Sequence, residues 1–323
     1  MPFKTGRTFA AAVVMCLIMQ TLIAGFGHAA LKAKIAFTSI RDGNSDIYVM
    51  DSGGGNRERL TINPTDDVDP AWSPDGTKIA FVSNRNGGFI QVYVMHADGT
   101  LLNRLTDGLW ASDPDWSPDG DKIAFTSRNA AGRAHIAVMD ADGHNVFKLS
   151  DGRNPSWSPD GRRLAFEFWD GLNDNQIYTI DANGQGFKRL TADLGDKNGP
   201  AWSPDGRRIA YVSWEDGFLQ IHVVDSEGKD HQRLTRNRAY NMSPTWSPDG
   251  QAIAYVSAKG LDMGDRRAIH LMTADGEYLE QLGDIRDGHD IQPDFGPMEL
   301  GVLPSSDKIA IWGEIKASIT FRR

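Results

Sequence analysis

Pro70-Ala71-Trp72-Ser73-Pro74-Asp75-Gly76 decides the architecture of this chain, because the same heptad, changed only at its second residue, returns at Pro114, Pro155, Pro200 and Pro244. Trp72, Trp116, Trp157, Trp202 and Trp246 mark the phase, and Phe295 in Gln292-Pro293-Asp294-Phe295-Gly296-Pro297 holds the same place in a degraded sixth copy. Spacings fall in the low forties and stretch only at the last step, where residues 259–267 read as an insertion between two strands. A fixed period of this length is the mark of a repeat architecture.

Each copy contains four short extended segments separated by turn residues, the composition of one propeller blade. The first segment carries the Trp. Ser-Pro-Asp-Gly then gives a tight turn: Pro presets φ, Asp accepts local backbone N–H groups and Gly tolerates the exit conformation. The second segment is of the kind Ile79-Ala80-Phe81-Val82-Ser83, and the third of the kind Ile47-Tyr48-Val49-Met50-Asp51. Both are apolar on both faces, as expected of a sheet sandwiched between two others. A hairpin such as Asp140-Ala141-Asp142-Gly143 leads to the fourth, typically Arg-Leu-Thr.

Second-type segments number seven, counting Ile35-Ala36-Phe37 and Ile309-Ala310-Ile311, against six of every other type. The simplest ring therefore takes the missing first strand of residues 33–61 from residues 291–296. The expected fold is all-β: a six-bladed propeller of four-stranded antiparallel blades over residues 30–296, closed by pairing N- and C-terminal strands. Residues 297–323 form a tail of unassigned role.

Lys4 and Arg7 ahead of an apolar run from Phe9 to Phe26, with small residues after it, read as a signal peptide over residues 1–29. No transmembrane segment is expected once it is cleaved, and the mature chain is expected to be periplasmic or secreted. Cys16 is the sole cysteine and lies in this leader. Met15 before it lacks the small side chain of a lipoprotein signal, so disulfides, cysteine–zinc sites and a cysteine nucleophile drop out of the mature chain. Losing the leader takes the formal charge from −9 to −11, since it carries two cations and no acid. Such acidity argues against nucleic acid and anionic lipid as partners.

The repeated Pro-x-Trp-Ser-Pro-Asp-Gly-x-x-Ile-Ala-Phe, with Ile-Tyr-Val-Met-Asp and Arg-Leu-Thr, resembles the WD-like propeller repeat of the TolB family over about residues 31–296. That resemblance implies a six-bladed propeller and a periplasmic scaffold of the Tol-Pal envelope system, docking a peptidoglycan-associated lipoprotein at one channel mouth. The chain is expected to depart from the family plan, with its propeller starting a few residues after the predicted cleavage site and leaving no room for the small N-terminal α/β domain. The repeat is also similar to propellers of prolyl-oligopeptidase-type peptidases and of pectic-oligosaccharide lyases. No Gly-x-Ser-x-Gly elbow accompanies it here.

Strand direction places the Ser-Pro-Asp-Gly turns and Asp-x-Asp-Gly hairpins on one near-constant face. The loops between second and third strands, and the connectors between blades, fall on the other. Variable loops on a rigid scaffold are where binding function concentrates. That face carries Trp110, Trp169, Trp214 and Tyr240, aromatics outside the core pattern, which are candidates to anchor a protein or peptide or to stack on a glycan. Their plainer role is to fold over connectors.

Asp69, Asp113, Asn154, Gly199, Ser243 and Gln292 precede the heptad prolines and are expected to ring the channel mouth, suited to cationic or hydroxylated groups. Their plainer role is strand-end capping. Asp140-x-Asp142-Gly143 lacks the downstream glutamate of a calcium loop and reads as a turn. His135, His222 and His270 belong to different blades, so neither metal nor cofactor is expected. The reading is an exported, monomeric, non-enzymatic binding propeller, with a glycan-active lyase or hydrolase at the channel mouth as the alternative.

Overall fold

The computed structural model describes residues 33–298 apart from 42, 109, 170, 172–173, 262–265 and 284–287. The expected signal peptide, and all of the tail beyond Met298, lie outside the described residues. The chain opens with β1 (Lys34–Ser39), β2 (Asp46–Asp51) and β3 (Glu58–Arg59). Blade 2 is β4 (Asp67–Trp72), β5 (Lys78–Ser83), β6 (Gln91–His96) and β7 (Asn103–Arg104). Blade 3 follows as β8 (Ala111–Trp116), β9 (Lys122–Arg128), β10 (Ala134–Asp140) and β11 (Phe147–Asp151). Blade 4 is β12 (Arg153–Trp157), β13 (Arg163–Trp169), β14 (Asn175–Asp181) and β15 (Lys188–Arg189). In blade 5 these become β16 (Lys197–Trp202), β17 (Arg208–Glu215), β18 (Phe218–Asp225) and β19 (Gln232–Arg233). Blade 6 holds β20 (Tyr240–Trp246), β21 (Ala252–Ala258), β22 (Arg267–Thr273) and β23 (Tyr278–Leu282). The last strand, β24 (Asp290–Phe295), returns to pair antiparallel with β1.

The result is six four-stranded antiparallel sheets, the first built as β24-β1-β2-β3, so the expected six-bladed ring closed by the chain ends is what forms. Ile35 lies opposite Phe295 and Ser39 opposite Asp290 in this closure. The Ser39 hydroxyl donates to Asp290 Oδ1 at 2.7 Å, and Arg41 pairs with the same oxygen at 2.7 Å. Closure thus combines a backbone ladder with a charge-assisted lock, in which the hydrogen bonds to an ionised carboxylate are the stronger kind.

Each segment of the repeat has a mechanical part. Ser73 Oγ accepts the Lys78 amide (2.9 Å) and donates to Asp75 Oδ1 (2.7 Å), while the Gly76 amide donates to the Ser73 carbonyl (2.9 Å). The turns at Ser117, Ser158, Ser203 and Ser247 repeat this geometry. Second and third strands are buried on both faces and pack blade against blade, as in Ile47 and Val49 of β2 against Ile79 and Phe81 of β5. In Arg-Leu-Thr only the Arg belongs to the ladder. The Thr61 hydroxyl accepts the Ile47 amide (2.9 Å), and the Arg59 guanidinium folds over to the Thr61 carbonyl (2.9 Å). The same two contacts recur at Thr191 and Thr235. These outermost strands are therefore short, which limits the exposed sheet edge.

Blades also meet through their hairpin glycines. A Cβ built on Gly143, whose φ is +88°, would come within 2.8 Å of the Leu105 carbonyl oxygen of the preceding blade. Gly87 has a similar φ of +71° but open space around it. Backbone strain is common to both sites, so their difference isolates the inter-blade contact. Gly143→Ala should lower stability by about 2 kcal/mol or more, and Gly87→Ala by about 1 kcal/mol. Paired denaturant melts read the gap, and equal losses would show that blades 2 and 3 slide apart at no cost.

Candidate binding surface around the central channel

The six innermost strands share an irregularity that builds the channel wall. Each pairs with its second strand through a register shift, between Val68 and Ala71 in blade 2 for example. At the shift Asp69, Asp113, Asn154, Ser243 and Gln292 take φ values of 52–55°, and Gly199 takes 56°. This left-handed region costs a residue with a side chain about 1 kcal/mol or more, least for Asn and Asp. The amides so exposed turn outward to the preceding blade. Asp69 N donates to Thr38 Oγ1 (3.2 Å) and Asn154 N to Thr126 Oγ1 (2.9 Å), while Gly199 N donates to Glu167 Oε1 (2.8 Å).

All six of these residues line one central cavity of about 600 Å³. They sit within the inner strands and not at their ends, which differs from the strand-end capping that sequence suggests. The heptad's second residues line it as well: Ala71, Asp115, Ser156, Ala201, Thr245 and Asp294. Four carboxylic acids therefore face the channel, Asp69, Asp113, Asp115 and Asp294, and no Lys, Arg or His is among its lining residues as far as the described residues go. Asp115 Oδ2 accepts the Trp157 amide (2.6 Å) and Asp294 Oδ2 the Trp72 amide (2.7 Å), each across a blade boundary. Gln292 Nε2 donates to Asp69 Oδ1.

Burial in the wall pushes Asp69 up to about 8, with the Asp113 charge adding to it. Burial likewise takes Asp115 to about 7, against the pull of the Trp157 amide, and Asp294 to about 6. A further carboxyl, Glu167, occupies a position held by Thr38 and Thr126 in blades 1 and 3. Burial raises its pKa against the opposing effects of Arg153 (Nε to Oε2, 2.6 Å), Gly199 and Asn154 (Nδ2 to Oε1, 2.6 Å).

On the variable face, two of the four aromatics come together. Trp214, at the end of β17, lies 6.1 Å from Tyr240 of β20, and Phe218 at the start of β18 completes the group 5.4 Å from Tyr240. The adjoining connector is pinned under Trp214, whose amide donates to the Asp196 carbonyl (3.1 Å). Lys197, 1 % exposed, turns its ammonium inward onto the Leu194 and Gly195 carbonyls (2.9 and 3.0 Å). That arrangement leaves Leu194 83 % exposed and Trp214 42 % exposed on a braced support. Leu219 and Met242, neighbours of this group in the same strands, reach the channel wall, so patch and channel are continuous.

Trp110 and Trp169 stand apart. Trp110 lies under the Arg128 guanidinium at 5.5 Å, and Trp169 ends β13 at 62 % exposure. His222 is 3.3 Å from Glu215, while Asp140 bonds Lys122 Nζ (2.7 Å) and Asn145 Nδ2 (2.6 Å) as a hairpin residue.

The pattern defining the TolB beta propeller domain matches residues 32–156 and 152–309. The chain belongs to the TolB beta propeller domain family. Among curated relatives, the Tol-Pal system protein TolB of Desulfosudis oleivorans is 40 % identical over 65 residues, 20 % of this chain and 15 % of that protein. TolB of Bordetella pertussis is 45 % identical over 56 residues, 17 % of this chain and 13 % of its own length. The matched segments thus span well under a fifth of either relative. The crystal structure of TolB from Acinetobacter baumannii superposes with a TM-score of 0.73 at 25 % identity, covering 89 % of this chain and 72 % of that one.

Of the residues grouped on this candidate surface of the TolB-type propeller, sequence singled out the six left-handed ones, Trp214 and Tyr240, and not Asp115, Asp294, Glu167, Phe218 or Lys197. The signal for the first two was present, since the heptad varies only at its second residue. The raised acids have a measurable consequence. The folded protein holds their protons more tightly than the unfolded chain, so their stabilising share is complete below about pH 4 and lost as pH rises through about 6 to 8. Denaturant midpoints should therefore fall between about pH 5 and about pH 9. Asp69→Asn with Asp115→Asn keeps the acceptors for Gln292 and Trp157 and should flatten that slope. An unaltered slope would mean that water or counterions already neutralise the channel.

Proposed function

We propose that this chain is an exported, non-enzymatic scaffold whose variable face binds a protein or peptide of the cell envelope. The observation that carries the reading is the continuity of the Trp214–Tyr240–Phe218 group with an acidic channel that has no cation among its described lining residues. Aromatic side chains held rigid on strands make low-entropy anchors, and they concentrate binding energy at interfaces. A partner that fits lays apolar side chains over Trp214 and Leu194 and presents an ammonium, guanidinium or hydroxyl group to Asp69 and Asp113. Electrostatic complementarity of this kind fixes orientation and speeds encounter.

Two further observations support an envelope setting. The residues before Ala30 have the composition of a signal peptide, and two of the curated relatives are Tol-Pal system proteins TolB. No helix among the described residues is long and apolar enough to cross a membrane. Trp110 and Trp169 extend the same face and are offered to the partner as separate contacts.

Capture from envelope extract compares the mature chain with Trp214→Ala plus Tyr240→Ala, and separately with Trp110→Ala plus Trp169→Ala. Loss of a central aromatic anchor is worth about 2 kcal/mol, roughly a thirty-fold weakening. The first pair should show at least that loss for one defined partner, with the melting temperature within a few degrees of the parent, and the second pair a smaller one. A partner held equally well by all three proteins would remove this face from the account. Turnover of a glycan by the parent, abolished by Asp115→Asn, would replace the scaffold reading with the enzymatic one.

A further inference from the structure

The two connectors that flank the aromatic group carry opposite charge. Residues 192–196, between blades 4 and 5, hold Asp193 and Asp196, both exposed, and the Trp214 amide is bonded to this connector. Residues 236–239, between blades 5 and 6, hold Arg236 and Arg238, both exposed, and run directly into Tyr240. The connectors at 62–66 and 106–110 each contain one acid and no cation, so the arginine connector stands against the sign of the chain as a whole.

The residues around the two arginines are held down. Thr235 Oγ1 accepts the Ile221 amide (2.9 Å), and the Asn237 and Ala239 carbonyls accept Gln220 Nε2 (3.1 and 3.0 Å). Asn241 Nδ2 donates to Asn237 Oδ1 (2.6 Å). Arg236 and Arg238 have no such tie. Among the described residues neither forms an ion pair, whereas Arg233 just before them is held by Glu215 and Asp216 (3.1 and 3.2 Å). A polyanionic glycan carries the same sign on every unit and would be repelled by Asp193, Asp196 and the channel acids. A polypeptide changes sign from one residue to the next, and its aliphatic side chains match Leu194, Leu219 and Met242 beside the rings.

We propose, resting on the reading that this face binds a polypeptide, that the partner is a charge-segregated segment. Its carboxylates lie over Arg236 and Arg238, its apolar side chains on Trp214, Tyr240 and Phe218, and its cationic group toward Asp193, Asp196 and the channel. The arginines thereby fix the direction in which the segment lies. Exposed rim pairs of this kind add little affinity, act on orientation and encounter rate, and are screened by salt.

The test uses the mature full-length chain and three fluorescein-labelled peptides, each made in both chain directions. The first has three glutamates, then Trp-Leu, then one lysine, and its two copies replace the glutamates by glutamines or by lysines. At low salt the parent should bind the glutamate peptide, in one direction, roughly three- to ten-fold more tightly than the glutamine copy, a ratio that falls toward one at about 0.5 M salt. Arg236→Glu/Arg238→Glu should reverse the order and prefer the lysine copy, with an unchanged melting temperature because both side chains are exposed. Equal affinity of the parent for all three peptides, or none for any, overturns the proposal. So does tighter binding of an oligogalacturonate of the same charge, which would assign the arginines to an anionic glycan. Peptides held equally well by the parent and by Trp214→Ala/Tyr240→Ala would instead overturn the underlying reading of the face, and this proposal with it.

Discussion

The tryptophan that ends five of the six innermost strands, with Phe295 in its place on the sixth, packs across a blade boundary, and the ring depends on that one contact repeated. The Trp116 indole donates to the Ala71 carbonyl of the blade before it (3.2 Å), and the Trp246 indole to Ala201 (3.1 Å). The Arg163 and Arg208 guanidiniums of preceding blades lie over Trp202 and Trp246 at 5.0 and 4.8 Å. Truncating one such buried ring costs about 3–5 kcal/mol, a large part of the net stability of an ordinary domain. A sheet bound so firmly at its inner edge tolerates two-residue outer strands, and it tolerates variable loops on the opposite face.

The same contact explains the channel. Three of the tryptophans also bond through their amides to a side chain of the neighbouring blade, and in two of them, Trp157 and Trp72, the acceptor is a carboxylate, Asp115 or Asp294. Ser156 takes the equivalent place before Trp202, at a longer 3.4 Å. The acids are thus structural acceptors first. Their concentration in one wall, without a cation among the described lining residues, is the basis of the proposed contact with a positively charged group. On that proposal, a ligand that engages Asp115 or Asp294 acts on the seam between blades.

The variable face is built by departures from the repeat. Lys197 takes a position that is Asp67 in blade 2 and Asn241 in blade 6. Burial lowers its pKa while Asp193, Glu215, Asp174 and Asp196 oppose that shift. Its ammonium holds a connector by two carbonyls, alongside the Gln176 amide on that same connector, and the Gln220 amide holds the next one in the same way. Trp214 stands on this braced connector. A buried cation satisfied by backbone carbonyls rigidifies a loop at some cost in solvation, and a rigid loop loses less entropy on binding.

The sequence alone determined the number of blades, the phase of their strands and the closure by residues near 291–296. These follow from local chemistry repeated in register: Pro presetting a turn, Ser and Asp bonding within it, Trp closing a strand. It also singled out the residues before each proline, because their type varies where the heptad does not. Tertiary structure alone decided that Asp69, Asp113, Asp115 and Asp294 share one cavity, and that Phe218 joins Trp214 and Tyr240. Those groupings join residues of different blades, and the distances among them are set by ring closure and inter-blade packing, which no local pattern encodes.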